Sequence, residues 1–477
     1  MKRFISIWVS LTLCITLQAK VELPAIIGDN MVLQQKQQVA LWGKASGKKV
    51  TITVPWTRNK KVVTPDSDGR WTTRIETPSA GGPYEIRFND GEELVIHNVM
   101  VGEVWYCGGQ SNMEMPMHGF QEQAVENAAD FIAEANPGIP IRICKVPNVK
   151  ALTPQEKGLA SWKENSPEEV SSTSAVAYFF ARKLYKVLGL PIGIITVDWG
   201  GSDIIAWMRR DVLEKDFPGE FDTAVLDTAD IKNLKGVHPS IHYNGMVSPL
   251  EPFTFKGMIW YQGENNRAHP EQYSRLQPAY VKMMRDRFHN PDAGFYFVQI
   301  APYSYQPQNA ELFTSGYFCE AQAKTLSLIP HSGMVTTTDL GSYTTVHPPK
   351  KQEVGNRLAY LALVNDYGLK GLNPVAPSYK GMEVDGTDVW IEFNTDVLGI
   401  GPMMERLPGF EVAGEDRVFH PATAQVVKGK VRVSCGEVSV PVAVRYCFRN
   451  WCEGRLVNAY GIPAGPFRTD DWDDLKK

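Results

Sequence analysis

Ser111 stands in the stretch Tyr106-Cys107-Gly108-Gly109-Gln110-Ser111-Asn112-Met113, where an apolar run passes through two glycines straight into polar residues. A serine hydroxyl carries out acyl transfer when a base takes its proton and donors fixed beforehand receive the oxyanion. The chain holds residue types for both tasks. His347, in His347-Pro348-Pro349 just ahead of a helical pattern, is the candidate base. The N–H of Ser111, the N–H groups of Gly200 and Gly201, and the side-chain amide of Gln262 are the candidate oxyanion donors. Asp339 and Glu264 are the candidate carboxylates for orienting the imidazole, by the logic of a Ser-His-acid triad. Taken alone, each has a duller explanation. A serine after glycine is usually a turn or N-cap residue, Gly-Gly-Ser-Asp a loop, Glu264 a capping carboxylate and His347 a surface histidine. Their common position argues otherwise, and that position depends on the elements that carry them.

Five apolar runs, "VGEVWYC", "GIITVDW", "GMIWYQ", "FYFVQIA" and "GMVTTTD", recur between longer segments of helical period such as Ala175 to Leu188 and Pro270 to Phe288. Near-continuous apolar strands alternating with helices predict an α/β domain with a parallel sheet covered on both faces. In such a sheet the ligand crevice lies beyond the carboxyl ends of the strands. Strand exits at Gly109-Gln110-Ser111-Asn112, Trp199-Gly200-Gly201-Ser202-Asp203, Trp260-Tyr261-Gln262-Gly263-Glu264 and Asp339 therefore converge in space although distant in sequence. Trp105, Trp199 and Trp260 at these ends serve packing first, with a sugar platform as a compatible second role. Met113 occupies the place where the GxSxG elbow needs glycine, so the serine is presented by another kind of turn. The P-loop lysine and a GxGxxG after the first strand are both missing, which argues against nucleotide binding.

Short alternating runs broken by turn signals occupy residues 20–98 and predict an N-terminal β-sandwich-like domain. The α/β domain spans 99–371, and a C-terminal β region with "VWIEFN", "KVRVSC" and "VAVRYCF" spans 372–477. Lys2 and Arg3 before the apolar run Phe4 to Leu17, with Leu17-Gln18-Ala19 following, predict a signal peptide over 1–19 and a secreted or periplasmic location. No later stretch is long and apolar enough for stable membrane insertion, and a net charge of -4 gives no case for nucleic acid. Cys435, Cys447 and Cys452 cluster near the C-terminus, where one disulfide fits an oxidising compartment. Neither CxxC nor HExxH occurs, and Pro239 breaks any helical pairing of His238 with His242, so no zinc site is expected.

Together, Gly109-Gln110-Ser111-Asn112-Met113, Gly200-Gly201-Ser202, Trp260-Tyr261-Gln262-Gly263-Glu264 and His347-Pro348 resemble the sialate O-acetylesterases, a carbohydrate-esterase branch of the SGNH hydrolase superfamily. "GDNMVLQQ", "GGPYEI", "VRYCF" and "GIPAGPFRTD" extend the resemblance over nearly the whole chain after the leader. The resemblance implies a flavodoxin-like parallel sheet, Ser111 as nucleophile, His347 as base, and an oxyanion hole from Ser111, Gly200 or Gly201, and Gln262. It implies no metal and no cofactor. The expected reaction is release of acetate from an O-acetylated sugar, sialic acid first and at its 9-O position. Acetylxylan or another plant polysaccharide is the alternative substrate, and a non-catalytic glycan binder the alternative function. The family usually carries an aspartate shortly before the histidine, whereas Thr344, Thr345 and Val346 stand there. Glu264, Asp339, or a Ser-His dyad aided by a backbone carbonyl are the three ways of orienting His347.

Overall fold

The structure, a computed structural model, describes residues 20–473; the expected leader over 1–19 lies outside them. Its centre is a sheet of β1 (Glu93–Gly109), β2 (Ile141–Lys145), β3 (Ser161–Glu164), β4 (Ile192–Asp198), β5 (Gly257–Tyr261), β6 (Gly294–Val298) and β7 (Ser332–Val335). In space the order is β7-β6-β5-β1-β4-β2-β3. Every neighbouring pair is parallel except the last, in which β3 runs antiparallel to β2. The five runs read from the sequence are β1, β4, β5, β6 and β7. With β2 and β3 set aside they follow the order 2-1-3-4-5, so the chain leaves β1 to one side for β4 and to the other for β5. The switch point falls at the carboxyl end of β1, where Ser111 follows.

Alternation along the strands divides the core. Trp105, Cys107, Ile259, Tyr261, Tyr296 and Val298 face helices α2 (Ala175–Leu188) and α5 (Lys351–Asn365). On the other face, Tyr106, Val197, Met258, Trp260 and Phe297 pack with α3 (Pro270–Arg287) and α4 (Thr314–Thr325). Both faces are covered, which is why these strands read as continuous apolar runs rather than alternating ones. Trp105 and Trp260 are fully buried, so both are packing residues.

β1 also joins the α/β sheet to the strands before it. Its first half pairs antiparallel with Gly81–Asn89, and its second half is the centre of the parallel sheet. Asn98, at φ 56, bends the strand between the two halves. After residue 372 the chain forms further antiparallel strands around a separate apolar cluster that includes Val389, Val412, Val433 and Tyr446. Cys447 and Cys452 form the disulfide, and Cys435 is a free, buried thiol. The C-terminal segment also braces the path from β7 to the site. Thr336 and Thr338 hydroxyls donate to the carbonyls of Pro463 and Ala464 at 2.5 and 2.8 Å.

Candidate active site

The turn after β1 depends on one glycine. Gly109 adopts φ 152, and a Cβ there would lie 2.1 Å from the Tyr261 carbonyl oxygen, a separation no side chain tolerates. That closeness lets the Gln110 N–H donate to Tyr261 O at 2.9 Å. The Gln110 Oε1 in turn accepts the N–H of Gly263 at 3.1 Å, so the exits of β1 and β5 are sewn together. Ser111 then opens the short helix α1 (Ser111–Glu114) and is half-buried. The exit of β4 closes against it. A Cβ on Gly200 would sit 3.4 Å from Ser111 Cβ, and Gly201 turns the chain at φ 69, letting Ser202 N–H reach Trp199 O at 3.3 Å.

His347 arrives from the segment between β7 and α5. The Asn112 side chain donates to Val346 O at 3.0 Å, tying the neighbour of Ser111 to the neighbour of His347. The imidazole Nδ1 lies 2.7 Å from Gln123 Oε1, and the ring meets Phe120 edge-on at 5.1 Å. An amide oxygen only accepts, so it holds the imidazole proton on Nδ1 and leaves the Nε2 lone pair free to act as a base. Gln123 is itself held, because its Oε1 accepts the Thr345 hydroxyl at 3.0 Å. Burial first, and the Lys351 ammonium second, push the His347 pKa down from 6.5 to about 4.

A pH dependence follows. The base form persists down to about pH 4, so kcat/KM is expected to lose its acid limb near pH 4 rather than 6.5. Folding carries the matching sign. Between pH 6.5 and 4 the unfolded chain takes up a proton that the folded chain refuses, so stability falls as pH drops through that window. Gln123→Glu places a carboxylate beside Nδ1 and is expected to raise the limb by about 1 to 3 pH units. A kcat/KM profile of both proteins checks this, and an unmoved limb contradicts the assigned contact.

The orienting acid departs from expectation. Asp339 forms a two-pronged ion pair with Arg357, at 2.8 and 2.5 Å, and Glu264 accepts from Asn112 at 2.5 Å. Neither hydrogen-bonds the imidazole, whose Nδ1 faces Gln123 Oε1 instead. The backbone-carbonyl alternative also gives way to a side-chain amide oxygen. Gln262 differs as well: its Nε2 donates to Ser202 O at 3.1 Å and to Asn266 Oδ1 at 2.6 Å, so both of its hydrogens are taken. The Gly200 N–H donates at 2.6 Å to Glu114 Oε2, a residue that no motif or spacing singles out.

Behind Ser111 lies a buried polar network. Lys351, 1% exposed, donates to Asn112 Oδ1 at 2.5 Å, and Asn112 joins it to Glu264. Burial lowers the Lys351 pKa to about 7 and raises that of Glu264, the ordinary response of charges removed from water. On the other side, burial first and the Glu114 carboxylate second push Asp198, at the end of β4, up to about 7. Gln123, Glu114 and Lys351 are the site residues that sequence reasoning missed. Among the described residues no cluster of three or more His, Cys, Asp or Glu side chains could hold a metal ion.

A family model for carbohydrate esterases, the sialic acid-specific acetylesterases, matches residues 101–363. The sialate O-acetylesterase of Rattus norvegicus is 29% identical over 422 residues, covering 75% of this chain and 76% of that protein. The sialate O-acetylesterase of Mus musculus is 27% identical over 512 residues, covering 92% of this chain and 93% of that protein. The crystal structure of a carbohydrate acetylesterase from Xanthomonas citri superposes with a TM-score of 0.84 at 34% identity, covering 95% of this chain and 100% of that one. The chain is an ester hydrolase and belongs to the carbohydrate esterase family of sialic acid-specific acetylesterases.

Proposed function

We propose that this esterase removes O-acetyl groups from sialic acid, the 9-O-acetyl group first, by a Ser-His mechanism on a flavodoxin-like SGNH sheet. Ser111 Oγ attacks the acetyl carbonyl while His347 Nε2 takes its proton. The Ser111 N–H receives the oxyanion, joined by the Gly200 N–H once Glu114 releases it. Collapse of the tetrahedral intermediate expels the sugar hydroxyl, which regains the proton from His347, and leaves an acetyl ester on Ser111. His347 then takes a proton from water as the water oxygen attacks that ester, and returns the proton to Ser111 Oγ as the C–Oγ bond breaks and acetate leaves. Gln123 stands where a triad acid would, giving the right tautomer without a second negative charge. One observation carries the reading: His347 Nδ1 is capped by an acceptor while Asn112 joins the Ser111 and His347 segments. A signal over 1–19, a secreted or periplasmic location, and domains at 20–98, 99–371 and 372–477 complete the proposal.

The sialate carboxylate needs a cation near the nucleophile. Lys150 Nζ lies 5.6 Å from the centre of the Trp199 ring, and Trp199 directly precedes Gly200. The Glu114 carboxylate beside Gly200 favours a neutral sugar instead, which supports acetylxylan as the second reading. Acetate release from O-acetylated sialic acids and from acetylxylan, measured in parallel, decides between them. Faster release from the sialic acids, reversed by Lys150→Ala, is expected. Preference for acetylxylan favours the second reading, and glycan binding without release from either overturns the esterase mechanism.

A further inference from the structure

Glu114 occupies a position with a consequence for the reaction. It ends α1, three residues after Ser111, and its Oε2 accepts the Gly200 N–H at 2.6 Å. Its Oε1 accepts from Asn148 Nδ2 at 3.1 Å, so the carboxylate is held from both sides. A Cβ built on Gly200 would meet Glu114 Oε2 at 2.8 Å and Ser111 Cβ at 3.4 Å, which puts carboxylate and nucleophile on the same face of that glycine. A carboxylate on a backbone N–H is a charge-assisted bond, stronger than that of a neutral ester carbonyl. An unguarded Gly200 N–H would therefore hold acetate, the product, more tightly than the substrate carbonyl. The chain has placed a carboxylate of its own there.

We propose that Glu114 is a specificity-determining residue that reserves the Gly200 N–H for a neutral acyl group and rejects carboxylates, the acetate product above all. This rests on the Ser111 esterase reading and extends it. On this proposal an entering ester carbonyl must displace the Glu114 oxygen from the Gly200 N–H, while the bond from Asn148 keeps the carboxylate beside the site. The tetrahedral intermediate pairs its oxyanion with the protonated His347, so the pair is neutral overall. Acetate stands beside a neutral His347 and brings a net negative charge. Glu114 repels the second far more than the first, because like charges in contact are strongly disfavoured. The residue thus separates product from transition state, although both put an anionic oxygen on the same N–H. Anionic acyl groups, such as the free end of a dicarboxylic half-ester, are excluded by the same repulsion.

The test compares the full chain with Glu114→Ala and Glu114→Gln. Sodium acetate is titrated against each, reading the shift in thermal melting and, separately, the inhibition of a small neutral acetyl ester's hydrolysis. Removing the charge is expected to tighten acetate binding at least about tenfold in both readouts. Glutamine keeps an acceptor for Gly200 and decides the matter if alanine disturbs the turn. Unchanged acetate affinity in the glutamine variant, or a fall in its kcat with affinity unchanged, overturns the proposal and makes Glu114 a brace for the turn. Absence of hydrolysis in the parent overturns the esterase mechanism itself, whereas unchanged acetate affinity in an active protein overturns the Glu114 role alone, so the two failures are told apart.

Discussion

Replacing Ser111 with alanine is expected to reduce acetate release by about 10⁶-fold, the loss seen when a serine nucleophile is removed from an intact catalytic unit. The change deletes one hydroxyl and leaves the rest of the site standing. Met115 N–H bonds the backbone carbonyl of Ser111, not its side chain, and the Gly109 and Gln110 contacts to β5 are backbone and Gln110 interactions. Stability is therefore expected to stay within about 0.5 kcal/mol of the parent. Acetate assay and urea melting together check both halves. A variant that folds and still releases acetate within tenfold of the parent rules out Ser111 as nucleophile.

Asn112→Ala is expected to have the larger effect on folding. Asn112 is completely buried and makes three side-chain contacts, with Glu264, Val346 and Lys351. Alanine removes all three and leaves a buried ammonium without its acceptor and a buried carboxylate without its donor. Breaking a buried charged network from one side costs about 3 to 5 kcal/mol. Activity is expected to drop as well, by about 10²-fold, because the tie that sets His347 against Ser111 is lost. Urea denaturation measures the first effect and kcat/KM the second. A stability loss below about 1 kcal/mol would show that Lys351 and Glu264 find each other without Asn112.

What could be read in advance follows what the physics makes local. Helix α2 was legible to its ends, because Ser174 caps its first turn through a bond to Ala177 N–H and Gly189 closes it at φ 66. The buried stretches of β1, β4, β5 and β6 were legible because burial on both faces favours apolar residues, with Glu103, Thr196 and Asp198 the buried exceptions. The last apolar run promised a strand as far as Asp339, yet β7 stops at Val335, and Thr336 to Thr338 turn to the C-terminal segment and to Gln299. β2 and β3 were harder, being short and charged, with β3 at the sheet edge. The glycines at 109, 200 and 201 marked the site, since close approach and left-handed backbone leave a visible signature.

Partners chosen across the fold left no such mark. Gln123 lies in a polar loop and meets His347 224 residues away, so neither periodicity nor spacing marks it. Asp339 looked available for His347 until folding brought Arg357, one helix later, against it. Glu114 sits in plain view beside the serine, but its bond to Gly200 exists only because β1 and β4 are neighbours in the sheet.

The measurement that tests the account most directly is capture of the acetyl-enzyme. The parent protein and Ser111→Ala are mixed with an O-acetylated sialic acid, quenched in acid within the first turnover, digested and weighed by mass spectrometry. An acetyl group on Ser111 in the parent and none anywhere in the variant is the expected result. Acetate release by the parent with no acetylated Ser111 at any quench time, or an acetyl group on another side chain, would contradict it.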